Sequence, residues 1–268
     1  MKGEKTVTSR GAFPEVDGQL PPGIQTTCGV LGGIPARYAS SRLDGKPLVL
    51  LGPKSLIQHV YERCLQTEVL DQVVVATDDR RIAEAVRAFG GKTVRTSSNH
   101  RTGTDRLAEV ASRIECDVVV NTQCDSPLFP PHAIDLAVRA LLENPEVRMS
   151  TVAAPCADES EIRSPNSVKV VTDCSGDALY FSRSRIPPRT EAASDVLLHL
   201  GIYVYRREFL LELARREQGP LEKREHLEQL RALEYGDRIR VVLIGEMPPD
   251  LHDMDDVKSI RQLLGGER

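Results

Sequence analysis

The feature that most constrains this chain is the loop at residues 34–48, Ile-Pro-Ala-Arg-Tyr-Ala-Ser-Ser-Arg-Leu-Asp-Gly-Lys-Pro-Leu. It follows the apolar run 29–34, which is short, compatible with a β-strand, and predicts a first strand buried in a sheet. Ligands of open α/β sheets bind at the carboxyl ends of strands, where small residues let backbone N–H groups approach phosphate oxygens. The loop also carries three cations that neutralise phosphate charge, namely Arg37, Arg42 and Lys46. It therefore predicts a phosphate-binding site, although it matches neither Walker A nor Gly-x-Gly-x-x-Gly.

Strand-like and helix-like segments alternate through the first half of the chain. The apolar runs 72–76 and 117–121 predict buried strands, and apolar residues at helical spacing predict helices at 55–67 and 104–114. This βαβ order predicts an α/β fold with a mainly parallel, Rossmann-like sheet and helices on both faces. The loops that follow the strands should then form one crevice at the carboxyl edge of the sheet.

The second half is less regular. Strand-like segments within about 149–205 predict a small β-rich excursion that serves as a lid or dimerisation arm. The remaining expected elements are a strand at 240–244 and helices at 207–217, 224–235 and 255–264. We expect a flexible tail at 1–27 and a single domain over 28–268.

Charge and hydropathy exclude several classes of partner. A formal net charge of −4 argues against nucleic-acid binding, and no apolar run is long enough to cross a bilayer. Residues 1–27 mix charges, Gly and Pro without an apolar segment, so we expect no secretory signal and a cytoplasmic protein. The six cysteines show no metal-ligand spacing, which favours buried free thiols.

Several further segments carry a family resemblance. Together with 34–48 they are 74–78, 102–109, 121–127, 165–171, 179–187, 199–203, 220–222 and 227–231. In this order they resemble the 3-deoxy-manno-octulosonate (Kdo) cytidylyltransferase family of nucleotidyltransferases over nearly everything from about Cys28 onward. The resemblance implies transfer of CMP from CTP to the acid Kdo with release of pyrophosphate, in lipopolysaccharide biosynthesis. It also implies Mg2+ as cofactor and a homodimer.

The resemblance places the catalytic and nucleotide contacts on these segments. It implies that Arg37, Arg42 and Lys46 hold the triphosphate and that Asp125 binds Mg2+, all four being catalytic. The implied nucleotide-binding residues are Pro35, Ala36, Arg37, Ser40, Ser41, Arg42, Lys46, Thr77, Asp78, Thr102, Gly103, Thr104 and Arg106. Such a reaction depends on positioning and charge neutralisation more than on a covalent nucleophile.

The acceptor and metal sites follow from the same resemblance. The implied acceptor-binding residues are Gln123, Arg183, His199, Tyr203, Glu228 and Gln229. Arg183 and His199 are expected to bind the acceptor's carboxylate, while the others address its hydroxyl groups.

In the family, a second aspartate that binds Mg2+ belongs to the motif Asp-Thr-Pro-Glu-Asp-Leu near the carboxyl end. The corresponding segment of this chain is one residue shorter. With the gap after Met254 the ligand is Asp253, and without a gap His252 takes that position. We expect Asp253, because a carboxylate suits Mg2+ better than an imidazole.

Three departures from the family pattern leave alternatives open. Where the family has Gln-Gly-Asp-Glu-Pro, this chain has Gln-Cys-Asp-Ser-Pro at 123–127. Where the family has Leu-Pro-Gly-Lys-Pro, this chain has Leu-Asp-Gly-Lys-Pro at 43–47, and the terminal motif is shortened. Cys124 and Ser126 therefore stand beside the expected metal and acceptor. The alternative function is CMP transfer to another acid, such as an 8-amino-Kdo-like sugar or a small phosphonate. A catalytically silent nucleotide-binding protein is the third interpretation.

Overall fold

The computed structural model describes residues 20–39, 43–188, 196–249, 251 and 254–265. The strands in these residues are β1 (Thr27–Ala36), β2 (Leu50–Leu51), β3 (Lys54–Ser55), β4 (Gln72–Thr77), β5 (Thr93–Arg95), β6 (Glu115–Thr122), β7 (Met149–Cys156), β8 (Lys169–Thr172), β9 (Ala178–Ser182), β10 (Val196–Arg206) and β11 (Ile239–Leu243). The helices are α1 (Leu56–Cys64), α2 (Arg80–Ala88), α3 (Gly103–Arg113), α4 (His132–Leu142), α5 (Glu159–Arg163), α6 (Arg207–Arg215), α7 (Pro220–Glu225), α8 (Leu230–Glu234) and α9 (Met254–Gly265). Among the described residues, no helix has the length and apolar character needed to span a bilayer.

β1 is the middle of the main sheet. It pairs in parallel with β4 on one side and β6 on the other, and β4 pairs in parallel with β5. With the strands beyond β6 included, the order of neighbouring strands along this path of the sheet is β5-β4-β1-β6-β10-β7-β11. β10 is antiparallel to β6 and β7, while the other strands of this path share one direction. The predicted α/β fold with a mainly parallel sheet is confirmed.

The central strands form because helices cover both of their faces. β4 reads Gln-Val-Val-Val-Ala-Thr and is buried throughout, which is typical of a parallel strand between two helix layers. On one face, Ile57 of α1, Ile82 of α2 and Ile134 of α4 belong to one apolar cluster. On the other face, Leu107 of α3 and Phe209 of α6 belong to a second cluster. The carboxyl ends of β1, β4 and β6 therefore open together at one edge, between these layers.

The chain departs from this alternation after β7. The hairpin of β8 and β9 is added to the sheet through antiparallel pairing of β8 with β10. Lys169 of β8 is buried, and its ammonium donates to the carbonyls of Ser164, Ser167 and Arg183 at 2.6 to 2.8 Å. These charge-assisted hydrogen bonds tie the loop before β8 to the end of β9.

The prediction of one helix at 224–235 is wrong. The chain instead forms α7, breaks at His226 and forms the short helix α8. His226 has φ 54°, in the left-handed region, and this ends α7. The break has a tertiary cause, because it brings Glu228 to the start of α3, a contact that local apolar spacing does not encode.

The residues just before β1 contact the core. Leu20 and Ile24 pack against the cluster of α3 and α6, and Gln25 exchanges hydrogen bonds with Gln72 at 2.8 and 3.1 Å. The last part of the segment expected as a tail is therefore packed, whereas residues 1–19 lie outside the described residues.

A buried ionic cluster fixes α8 against α3 and α7. Arg231 donates to both carboxylate oxygens of Glu222 at 2.6 and 2.8 Å and to Asp105 at 3.2 Å. All three side chains are almost fully buried. Loss of one partner is costly in such a cluster, because it leaves the opposite charge unpaired in the interior.

We expect Arg231→Met to lower the free energy of unfolding by about 3–5 kcal/mol, because Glu222 and Asp105 stay buried without their cation. Urea denaturation measures this loss. Arg139→Met is the matched control, since it removes an exposed ion pair with Glu68 and should cost less than about 1 kcal/mol. Equal losses for the two variants would contradict the role given to the cluster.

Candidate active site

A cavity of about 100 Å³ opens at the carboxyl edge of the sheet, where β1 and β6 end and α3 begins. Its lining residues are Pro35, Ala36, Arg37, His100, Arg101, Thr102, Gly103, Arg106, Gln123 and Glu228. Three arginines stand in this lining against one carboxylate, so the cavity attracts an anionic ligand.

The amino end of α3 is capped from two directions. Thr102 accepts a hydrogen bond from the Asp105 N–H at 3.0 Å. The Glu228 carboxylate accepts from the Gly103 N–H at 3.3 Å and from the N–H and hydroxyl of Thr104 at 3.0 and 2.6 Å. Unpaired N–H groups and the helix dipole favour a negative side chain at this position. The cap holds Glu228 in the cavity wall.

Arg106 links α3 to the ends of two neighbouring strands. Its guanidinium pairs with Asp78, just after β4, at 2.9 Å and donates to Thr96, just after β5, at 2.6 Å. Burial lowers the pKa of Arg106, while the ion pair with Asp78 opposes this shift. Thr77 is buried at the end of β4, and its hydroxyl accepts from the Asp79 N–H at 3.1 Å. The expected nucleotide residues Thr77, Asp78 and Arg106 therefore lie in one region, and of the three only Arg106 lines the cavity.

Two glycines make room for the side chain of Gln123. A Cβ atom on Gly103 would lie 3.2 Å from its Nε2, and one on Gly201 would lie 3.1 Å from its Cγ. Gly201 stands where β10 shifts register between Leu200 and Tyr203, and its carbonyl accepts the Gln123 N–H at 3.1 Å. The Gln123 amide thus lies between the start of α3 and the irregular part of β10.

Lys46 and Asp125 form an ion pair at the same edge, outside the cavity lining. Their Nζ and Oδ2 atoms are 3.1 Å apart, and the side chains are 15% and 42% exposed, respectively. Asp125 therefore keeps an accessible carboxylate edge next to a cation. The Leu251 N–H donates to the Asp125 carbonyl at 2.7 Å, which brings the terminal segment to the end of β6.

Tyr38 and Gly45 flank the loop that precedes Lys46. The Gly45 N–H donates to the Tyr38 carbonyl at 2.8 Å. Gly45 has φ 68°, and a Cβ there would lie 3.0 Å from the Tyr38 ring, so both conformation and space favour glycine. Arg81 lies over the same ring at 3.2 Å from its centroid and pairs with Asp79 at 2.7 Å. The start of α2 therefore packs against Tyr38.

Tyr203 and Gln229 form a buried polar pair beyond Gly201. The Tyr203 hydroxyl donates to Gln229 Oε1 at 3.0 Å. Gln229 Nε2 is buried and has no hydrogen-bond partner in the structure. A buried donor of this kind needs a partner, and a ligand oxygen can supply it.

His199 is buried and neutral. Its Nε2 lies 2.8 Å from the Thr151 hydroxyl, whose proton goes to the Ile202 carbonyl at 2.6 Å. Nε2–H therefore donates to Thr151, and Nδ1 keeps its lone pair. Burial lowers the pKa of His199 to about 3, so it does not carry the positive charge expected of it toward a carboxylate.

Arg183 is held by main-chain acceptors. Its guanidinium donates to the carbonyls of Glu225 at 3.0 Å and Pro165 at 2.9 Å, and it is not among the residues that line the cavity. Cys124 packs in the apolar cluster of α1 and α4, where burial raises the pKa of its thiol. Ser126 is buried as well, and neither residue lines the cavity.

Four expected site residues lie outside the described residues, namely Ser40, Ser41, Arg42 and Asp253, as does the alternative metal ligand His252.

Two contributors were missed by sequence reasoning. His100 lines the cavity and bonds to the buried Glu109 of α3, and its position next to the 102–109 segment was the available signal. Arg81 contacts Tyr38 only in three dimensions, so no local pattern pointed to it.

An α/β sheet with a cationic cavity and an accessible carboxylate at its carboxyl edge is typical of a nucleotide-binding class of protein. The family model described as Cytidylyltransferase matches residues 32–239. Two similar relatives are named 3-deoxy-manno-octulosonate cytidylyltransferase. That of Syntrophotalea carbinolica is 49% identical over 243 residues, covering 87% of this chain and 97% of the relative. That of Geobacter sulfurreducens is 52% identical over 243 residues, covering 86% and 97%.

A solved structure gives the same result. The CMP:2-keto-3-deoxy-manno-octonic acid synthetase complexed with CTP superposes with a TM-score of 0.83 at 39% identity, covering 90% of this chain and 100% of that one. This chain belongs to the cytidylyltransferase family.

We expect His199 to destabilise the protein in mild acid. Its pKa is about 3 in the folded protein against an ordinary value of 6.5, so below pH 6.5 only the unfolded chain gains this proton. This group leaves the free energy of unfolding unchanged above pH 6.5. Between pH 6.5 and pH 3 it lowers the free energy of unfolding by up to about 1.4 kcal/mol for each unit by which the pH falls. His199→Gln keeps a donor for Thr151 and should remove this part of the slope. Urea unfolding of both proteins from neutral pH downward measures it, and parallel profiles would contradict a neutral buried His199.

Proposed function

We propose that this chain transfers CMP from CTP to Kdo and releases pyrophosphate. The observation that carries the proposal is the cationic cavity at the carboxyl edge, with the Lys46–Asp125 pair at the same edge. Relatives about half identical to the chain are named for Kdo cytidylyl transfer, and the similar synthetase structure is complexed with CTP. The cavity then holds the nucleotide, and the buried Tyr203–Gln229 pair faces the acceptor.

The reaction forms a bond from the acceptor's hydroxyl oxygen to the α-phosphorus of CTP. The bond from that phosphorus to the oxygen bridging to the β-phosphorus breaks, pyrophosphate leaves with the electron pair, and the acceptor hydroxyl gives up its proton to solvent. Because negative charge grows on the leaving oxygen, fixed positive charge nearby lowers the barrier. Arg37 in the cavity lining and Lys46 beside Asp125 supply that charge, and we assign the same role to Arg42.

Nucleotide selection rests on the corner formed by Thr77, Asp78 and Arg106. Arg106 is held by Asp78 and Thr96, and the Thr77 hydroxyl is held by the Asp79 N–H, so their polar atoms have fixed directions, which suits recognition of a base edge. The backbone of Pro35 and Ala36 and the start of α3 at Thr102, Gly103 and Thr104 complete this subsite. We assign Ser40 and Ser41 to the phosphates.

Acceptor binding rests on polar groups around the irregular part of β10. Gln123, Tyr203 and Gln229 address hydroxyl groups, and the unpartnered Gln229 Nε2 is the donor most in need of one. Neutral His199 offers a lone pair at Nδ1. Glu228 joins the two subsites, because its carboxylate lines the cavity while it caps α3. For the acceptor's carboxylate, Arg183 is the cation we assign, and it must exchange its main-chain partners to serve it.

Mg2+ fits the residues at Asp125. The carboxylate is 42% exposed, and a hard cation needs few protein ligands when phosphate oxygens and water complete its shell. Asp253 is the second ligand we propose, which the approach of Leu251 to Asp125 supports. When bound, Mg2+ would neutralise phosphate charge. Lys46 keeps the Asp125 carboxylate oriented, and among the described residues no three metal-binding side chains cluster.

Pyrophosphate release from CTP and Mg2+ tests the function. The acceptor panel contains Kdo, 8-amino-Kdo, other 2-keto sugar acids and simple phosphonates. Release with Kdo supports the proposal, and a chelator should abolish it. Release only with another acid would replace Kdo by that acid, and no release with any acceptor would favour a catalytically silent nucleotide-binding protein.

We expect Asp125→Asn to lower kcat by at least about a hundredfold, because Asp125 is one of the two carboxylates assigned to Mg2+. Lys46→Gln should raise the KM for CTP and lower kcat, since Lys46 contacts developing charge. Steady-state kinetics measures both. The matched controls are Asp158→Asn and Lys54→Gln, which change an exposed helix cap and an exposed ion pair and should leave kcat and KM unchanged. Normal activity of Asp125→Asn would remove the metal assignment.

We also propose a cytoplasmic homodimer. Free thiols, several of them buried, suit a reducing compartment. Leu179 of β9 and Leu243 of β11 are 62% and 54% exposed, and the bridge between Asp177 and Arg240 ties these two regions together. We expect Leu179→Glu to reduce the mass in light scattering from dimer to monomer, whereas Leu136→Glu, on α4, should not. A monomeric parent protein would refute the dimer.

A further inference from the structure

Two cysteines face each other at the amino ends of β1 and β6, the edge opposite the cavity. Cys28 and Cys116 are direct partners in the parallel register of these strands. Both belong to the apolar cluster of α3 and α6, Cys116 as a buried member and Cys28 as a partly exposed neighbour. Each thiol shifts the pKa of the other, as expected for neighbouring side chains in register. Neither residue has a role in the cytidylyl transfer proposed above.

The spacing of these strands permits a covalent bond. Neighbouring strands lie about 4.8 Å apart, within the range of about 4.4–6.8 Å between Cα atoms that disulfides occupy. Residues in register on neighbouring strands also point to the same face of the sheet. The chain therefore needs no large backbone movement to join the two sulfur atoms.

The two thiols differ in reactivity. The neighbouring Cys116 thiol lowers the pKa of Cys28, although burial, Asp71 and Asp117 oppose the shift. The pKa of Cys116 is raised by the Cys28 thiol and by burial. The thiolate is the attacking species, so the partly exposed Cys28 attacks first and Cys116 follows.

We propose that Cys28 and Cys116 form a dithiol modification site that a low-molecular-weight disulfide converts into an intramolecular disulfide. The Cys28 thiolate attacks one sulfur of the reagent, and a bond forms between them while the second reagent sulfur leaves as thiolate. The Cys116 thiolate then attacks the Cys28 sulfur and expels the first reagent half, also as thiolate. The protein loses two electrons and two protons, and the reagent is reduced to two thiols.

The site is chemically distinct from the other cysteines. Cys64, Cys124 and Cys156 are buried, and burial raises the pKa of all three thiols. Cys174 is exposed in the turn between β8 and β9, on another part of the sheet, so a reagent can reach it but no described cysteine lies in register with it. Cys174 therefore serves as an internal control for reagent access.

The experiment treats the full-length protein with glutathione disulfide and maps the products by peptide mass spectrometry without reduction. We expect a cross-linked peptide pair containing Cys28 and Cys116, and in the Cys174→Ser background a loss of two titratable thiols from the denatured protein. Cys116→Ser should instead accumulate a glutathione adduct at Cys28, and Cys28→Ser should leave Cys116 unmodified.

Two outcomes would overturn the proposal. One is a stable glutathione adduct at Cys28 of the parent protein without the cross-link. The other is modification of Cys174 while both Cys28 and Cys116 stay reduced. Because the parent protein alone distinguishes these outcomes, the test does not depend on the folding of any variant.

Discussion

The polar seam between α3 and residues 228–231 is the contact on which the site depends. Glu228 caps the amino end of α3, and Arg231 pairs with Asp105 in the first turn of the same helix. Each contact joins residues more than a hundred positions apart in the sequence, so neither can be read from a local pattern. Stability and active-site geometry therefore have a common cause: the interactions that bury Arg231 also set the wall of the cavity.

Cations at the site are held in place by carboxylates. Arg106 pairs with Asp78, and Lys46 pairs with Asp125, although the chain as a whole is acidic. Each pair restricts a flexible side chain to one direction before any ligand arrives, which reduces the entropy lost on binding. An incoming anionic ligand then competes with the Asp125 carboxylate for Lys46.

Much of the fold could be predicted because its signals are local. The buried strands β1, β4 and β6 are apolar runs, and the covering helices show apolar residues at helical spacing, so their order already defines a parallel α/β sheet. The prediction of one helix at 224–235 was wrong, because the break at His226 depends on a contact between distant segments. The packing of Leu20 and Ile24 was missed for the same reason.

The candidate site was less predictable than the fold. Sequence motifs pointed to Arg106, Gln123 and Glu228, and the structure brings these three to one cavity. His199 also stood in a motif, but its charge state could not be read there, because burial makes it neutral. The contact of Arg81 with Tyr38 had no sequence signal at all.

The sequence by itself determined the α/β class, the order of the elements and the position of the predicted phosphate-binding loop after β1. Hydrophobic periodicity and the signals that end a strand are properties of neighbouring residues. Only the tertiary structure decided which charges are paired, which imidazole is neutral and which two thiols are in contact. These properties depend on burial and on distances between segments that are far apart in the chain, and no local pattern contains them.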